Sequence, residues 1–156
     1  MNQTFTSDSR AFVVHLRDEH RRLNEATHDL ESELAAQAMH SARKVNKNVT
    51  DSLRRLRNRL AQHFLEEEEG GCIEEAVARC PTLSTEAFNL EHEHRDLLAE
   101  LDQLIAQSGE QPELPQLATR YQTFATRLRA DLRLTKTSCW NAAQRVDGAS
   151  RECRIA

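Results

Sequence analysis

Leu16-Arg17-Asp18-Glu19-His20-Arg21-Arg22-Leu23 returns later in the chain as Leu90-Glu91-His92-Glu93-His94-Arg95-Asp96-Leu97, the shared pattern being L-x-x-E-H-R-x-L. The histidine stands four residues after the first leucine and three before the second, so all three lie on one face if the segment is helical. Each copy is followed by a break and then by a second helical pattern. The chain therefore reads as two copies of a helical hairpin.

Working outward from the first copy, apolar or small residues recur at Phe12, Leu16, Leu23, Thr27, Leu30 and Leu34, with His20 in the same row. The steps alternate between three and four, which is the period of one helix face. A second row runs Leu53, Leu56, Leu60, His63, Glu67, and a third Ala87, Leu90, His94, Leu97, Leu101, Leu104. The fourth is Leu117, Tyr121, Phe124, Leu128, Asp131, Thr135. Thr6, Ser7 or Asp8 is expected to cap the first helix, and Ser84 or Thr85 the third. The polar segment 41–48 reads as the first connection. Gly70-Gly71 is expected to stop the second helix, with a longer connection over 72–83 that holds a short turn around Ile73, Ala76 and Val77 and ends at Pro81. Segment 108–115, with two prolines, is the third connection.

The expected fold is all-α: an antiparallel up-down four-helix bundle over 1–136, with a poorly ordered C-terminal tail. The pattern fades beyond the fourth row, so 137–156 is read as an irregular tail against which Trp140 alone offers a docking group. Bulk properties agree. The 156 residues fit one domain with a real core, and 4 Gly, 3 Pro and 4% aromatics disfavour a β-rich fold. A net charge of −4 gives no global attraction to nucleic acid or to an anionic membrane. The cluster Arg54, Arg55, Arg57 and Arg59 lacks interleaved aromatics and reads as a solvated face. The N-terminal segment has no apolar run behind basic residues, and no stretch approaches the ~18 apolar residues of a membrane span, so a cytoplasmic location is expected. Cys72, Cys80, Cys139 and Cys153 form no C-x-x-C pair and read as reduced thiols.

Antiparallel neighbours are related roughly by reflection through the loop that joins them. The midpoint of 20 and 67 falls in the first connection, that of 63 and 94 in the second, and that of 94 and 131 in the third. His20, His63, Glu67, His94 and Asp131 should therefore share one layer, to within about a turn, or ~5 Å. An inward layer of imidazoles and carboxylates among leucines is costly unless something offsets the lost solvation. A divalent cation does so, taking neutral imidazole and anionic carboxylate as direct ligands. His63 and Glu67 project from one face at i, i+4, and with His20 they form a two-histidine, one-carboxylate set of the kind that suits non-heme Fe(II) with open positions. His15, His28, His40 and His92 lie off the rows and read as surface histidines, His15 and His92 being near enough in sequence to support ligands. Glu19 and Glu93, next to ligand candidates, are placed to orient imidazoles. Glu66, Glu68 and Glu69 are expected to face water.

Asp18-Glu19-His20-Arg21-Arg22-Leu23, His63-Phe64-Leu65-Glu66-Glu67 and Glu93-His94-Arg95-Asp96-Leu97-Leu98, in this order and spacing, resemble the hemerythrin-like (HHE cation-binding) family over about residues 9–135. The resemblance implies a four-helix bundle with a non-heme iron centre of one or two ions, held by His20, His63, Glu67 and His94. It further implies reversible binding or sensing of oxygen or nitric oxide, or iron handling, rather than enzymatic turnover. Where the family carries a second H-x-x-x-E on the last helix, this chain has Asp131 and Thr135. Two other readings stand beside this one. A ferritin-like carboxylate oxidase would use paired E-x-x-H motifs; Glu91 to His94 fits one, but Arg17 occupies the matching place before His20. A metal-free interaction bundle would carry the same polar layer without an ion.

Overall fold

The structure is a computed structural model that describes residues 7–39, 45, 47–69, 72–79, 81–110 and 113–144. Four long helices, α1 (Ser7–Met39), α2 (Lys47–Glu69), α4 (Ser84–Gly109) and α5 (Leu114–Gln144), are joined by short links, and a short helix, α3 (Cys72–Arg79), sits between α2 and α4. Among the described residues there is no strand. None of the helices in the described residues is long and apolar enough to cross a membrane.

α1 lies beside α2 and α5, and α4 also lies beside α2 and α5, so α1 and α4 are diagonal partners in an up-down-up-down bundle. The reason is in the rows. Leu16, Leu23, Leu30 and Leu34 of α1, Leu53, Leu56 and Leu60 of α2, Leu97, Leu101 and Leu104 of α4, and Leu117, Tyr121, Phe124 and Leu128 of α5 are all buried. Each leucine withdrawn fully from water contributes roughly 2 kcal/mol before the cost of ordering the chain. The buried stripe is wider than one row, because Val49, Phe64, Leu114, Ala125 and Leu132 are buried too. Ala87 and Leu90, at the start of the third row, are only half-buried.

Ion pairs on the rim tie adjacent helices. Arg57 donates two hydrogen bonds to Asp102 across α2 and α4, at 2.9 and 3.2 Å. Arg127 of α5 bridges Glu93 and Glu100 of α4, Arg129 of α5 pairs with Glu31 of α1, and Arg59 of α2 lies 3.9 Å from Glu19 of α1. Exposed pairs of this kind add roughly 0–1 kcal/mol each, so their main effect is to fix register. Arg54 and Arg55 bond to Asp51 and Ser52 on their own helix.

Residues 47, 48, 108, 109, 114 and 115, expected in connections, are helical, and the element ends depart from the sequence reading at two further places. Neither Ser84 nor Thr85 caps α4. The preceding residue is Leu83, in helical conformation with φ −80 and ψ −1 and no side-chain cap, because the 3-10 turn Pro81–Leu83 runs directly into the helix. The Ser84 hydroxyl donates to the Pro81 carbonyl instead, at 2.6 Å. The second departure is in the expected tail: 137–144 is helical, as the last part of α5. No glycine or proline stands between Gln116 and Asp147, so nothing breaks the backbone there even though the apolar pattern has ended. Pro115 lies in the first turn of α5, where a missing N–H is tolerated. Residues 145–156, Gly70, Gly71, Cys80 and the side chains of Cys72, Thr135, Cys139 and Trp140 lie outside the described residues.

α3 packs against both α2 and α5 and buries Ile73, closing the bundle at the end where α2 stops. The polar layer lies just inside that end.

Candidate metal centre

Four helices each present a polar side chain to the interior at one level. α1 supplies His20, α2 supplies His63 and, one turn on, Glu67, α4 supplies His94 and α5 supplies Asp131; all five are buried, and Glu67 is fully so. The reflection argument therefore holds for every one of the five residues. Their apolar neighbours in sequence set the position: each polar residue occupies a row that is mostly apolar, so a helix that buries that row buries the polar group with it.

Glu67 is the hub. Its Oε1 accepts a hydrogen bond from His20 Nε2 at 3.0 Å, and His63 Nε2 stands 3.0 Å from the same oxygen. Its Oε2 faces His94 Nε2 at 3.5 Å, and His94 Nε2 is in turn 3.6 Å from Asp131 Oδ2. The His20 and His63 rings meet edge to face at 4.8 Å, while His94 lies flat on Phe64, with ring centroids 3.8 Å apart and planes 4° from parallel.

Many of these contacts are not hydrogen bonds. His63 Nε2 is close to Glu67 but out of line with it. His63 Nε2, His94 Nε2, Glu67 Oε2 and the Nδ1 atoms of His20 and His63 are buried without a hydrogen-bond partner. Elsewhere in the interior the fold satisfies its polar groups. The Thr27 hydroxyl donates to Leu23 O, and Tyr121 Oη donates to Thr27 O. Thr50 pairs with Ser108, whose hydroxyl donates to Ile105 O. Among the described residues, unsatisfied buried side-chain atoms occur only in the layer around Glu67. A buried polar atom left unpaired costs about 1–3 kcal/mol, so several at one level call for a further partner.

The charges point the same way. Burial pushes the Glu67 carboxyl up, but the contacts from His20 and His63 outweigh it and hold the group at about 2. Burial raises Asp131 to about 8, with Glu67 and Glu93 adding repulsion. Burial also lowers His94, against the pull of Glu68 and Glu67. At neutral pH the layer thus holds an ionised carboxylate among imidazoles, one of them (His94) kept neutral by burial, beside a carboxyl that keeps its proton.

His20, His63 and Glu67 each offer a ligand atom within 4.8 Å of the others, and the three can hold a metal ion. The donor chemistry fits. Six ligands at roughly 2.1 Å from a transition-metal ion place adjacent donor atoms about 3 Å apart, close to the 3.0 Å seen twice at Glu67 Oε1. His94 and Asp131 flank the other oxygen of the same carboxylate.

Two residues in contact with the layer were not legible as such in the sequence. Glu68, expected in water, is part-buried and accepts a hydrogen bond from His94 Nδ1 at 2.8 Å. Phe64, four residues after Leu60 on the flank of the row, carries the His94 ring. Glu66, also expected in water, accepts from His15 Nε2 at 3.1 Å and is held below the usual carboxylate range first by a hydrogen bond from Gln62 and then by that of His15. Of the acidic run, Glu69 alone is exposed. Glu19 and Glu93 bond to arginines, not imidazoles, and His92 is exposed, its Nδ1 donating to Phe88 O.

Comparison with protein-family models, with curated proteins and with solved structures returns no match.

Proposed function

We propose that this chain is a hemerythrin-like non-heme iron protein that binds or senses oxygen or nitric oxide, or handles iron. The observation that carries this reading is the Glu67 carboxylate, buried in an apolar interior with the Nε2 atoms of three histidines from three helices turned towards its two oxygens. Two-histidine, one-carboxylate donor sets with open positions favour ferrous iron. In this reading His20, His63 and Glu67 Oε1 hold one ion. Were a second ion taken up, His94 and Asp131 would be the residues to hold it, beside Glu67. Bound iron supplies an open coordination position and a one-electron couple. The chain's own part is to aim the imidazoles at Glu67 from three helices and to hold the layer in an apolar interior, with Phe64 stacked on His94.

The ferritin-like alternative loses its sequence support here, because Glu91 pairs with Arg95 on the outer face of α4, at 3.6 Å.

Metal uptake at neutral pH is expected to release more protons from the wild type than from Asp131→Asn. Asp131 is mostly protonated below about 8 and must ionise to coordinate, whereas His94 is already neutral. Calorimetric titration in buffers of different ionisation enthalpy measures the difference, which should approach one proton. The reading as a whole is tested by the iron content and visible spectrum of anaerobic protein before and after oxygen or nitric oxide. Bound iron with a new absorption band on gas addition is expected. Iron-free protein would defeat it, and bound iron whose spectrum ignores both gases would overturn the gas-binding role and leave iron handling.

A further inference from the structure

We propose that Glu68 is a positioning residue for the metal centre: it fixes the tautomer and the ring orientation of His94, so that the bare Nε2 lone pair faces Glu67 and Asp131. This inference rests on the metal reading above and deepens it.

The His94 ring is constrained by two contacts that do different work. Phe64 stacks on it in parallel, which fixes the plane of the ring. Stacking is blind to a half-turn within that plane, which exchanges Nδ1 with Cδ2 and Nε2 with Cε1. Only one of the two orientations presents a nitrogen to the interior layer. Glu68 Oε1, 2.8 Å from Nδ1, selects it: the carboxylate is acceptor-only and so requires the proton on Nδ1. In a neutral imidazole that leaves Nε2 without hydrogen and available as a donor of electrons. Glu68 Oε1 and the Glu67 and Asp131 carboxyls lie at opposite nitrogens of the ring, so the proton that Glu68 holds on Nδ1 leaves Nε2 turned towards Glu67 and Asp131.

The same support is missing on the other side of the layer. The Nδ1 atoms of His20 and His63 are buried without a hydrogen-bond partner. The ring of His63 is held by its place on α2, one turn before Glu67, and that of His20 by its own hydrogen bond to Glu67. Hence the arrangement is asymmetric. The Glu67 Oε1 side relies on direct contact with the shared carboxylate, and the Oε2 side relies on a carboxylate behind the imidazole. A carboxylate behind a ligating imidazole also raises its basicity.

The test combines two readouts on the full chain. Long-range nitrogen–proton NMR of metal-free protein, with nitrogen-15 histidine, reports the tautomer of His94 without any metal. Anaerobic titration with ferrous ion, and with cobaltous ion as an absorbing probe, reports affinity. The wild type is expected to show His94 with hydrogen on Nδ1 alone. Glu68→Leu should give a mixture of tautomers and lose about 10- to 100-fold in affinity. Glu68→Gln, whose amide oxygen still accepts from Nδ1, should keep the tautomer and most of the affinity. Glu66→Gln, which touches exposed His15, should change neither. A wild type with the proton on Nε2, or a folded Glu68→Leu variant with unchanged tautomer and affinity, overturns the role of Glu68. Absence of ferrous and cobaltous binding in the wild type overturns the metal reading itself, whatever the tautomer.

Discussion

Glu67→Ala is expected to abolish stoichiometric metal uptake. Each oxygen of this carboxylate serves a different part of the layer, Oε1 facing His20 and His63 and Oε2 facing His94. The group is held ionised down to about 2, whereas Asp131 keeps its proton up to about 8, so Glu67 supplies the charge that meets an incoming cation at neutral pH. Removing one member of a buried charged pair costs on the order of 3–5 kcal/mol. Applied to a bound cation, that is more than a hundredfold in affinity. Metal analysis after anaerobic loading, and the rise in melting temperature on adding ferrous ion, measure the loss. Glu69→Ala, at an exposed position two residues on, serves as the control and should load like the wild type. Wild-type loading in the Glu67→Ala variant would place the ion elsewhere.

The second large effect concerns pH. In the metal-free protein the folded-state value of Asp131 is raised from 3.8 to about 8, chiefly by burial. For an acid raised on folding, the unfolded chain gives up its proton first. The stability contributed by the neutral carboxyl is then fully present below about pH 4 and is lost progressively as the pH rises towards 8. Glu67 has the opposite sign: its value is depressed from 4.5 to about 2, so its contribution is present above the unfolded value and is lost as the pH falls through that interval. The two windows barely overlap. Asp131→Asn should therefore gain on the wild type steadily between pH 4 and pH 8, by a few kcal/mol in all, when both are metal-free. Denaturant melts across that range provide the comparison. A metal ion should reverse the order at pH 8, because it stabilises ionised Asp131 and has no such hold on the amide. A constant difference between the two proteins from pH 4 to pH 8 would mean that Asp131 titrates normally and does not sit in the layer as described.

The bundle was legible because leucines at steps of three and four leave little choice of face. The layer was legible because short connections make reflection through a loop a fair guide to height. What escaped the sequence has a physical pattern. Phe64 and Glu68 were missed because a single row was followed, while each helix buries a wider stripe and its flanks touch the neighbouring helix. Ser84 looks like a cap for α4 but is its first residue, because a 3-10 turn from Pro81 already supplies helical geometry before it. The apolar period of α5 ends before the helix does, so the row marks the end of packing and not of the helix. The residues Thr137 to Gln144 contain no breaker, and backbone propensity continues where packing signals stop. No sequence signal told Glu68 from Glu66 or Glu69 in an unbroken acidic run. Only the position of α4 beside α2 does so.

The most direct test of the centre is iron K-edge X-ray absorption on the loaded protein, paired with anomalous diffraction from its crystals. Iron bound by His20 and His63 nitrogens and a Glu67 oxygen at about 2.1 Å is the predicted result. Anomalous density away from these side chains, or an iron shell free of imidazole, would contradict it.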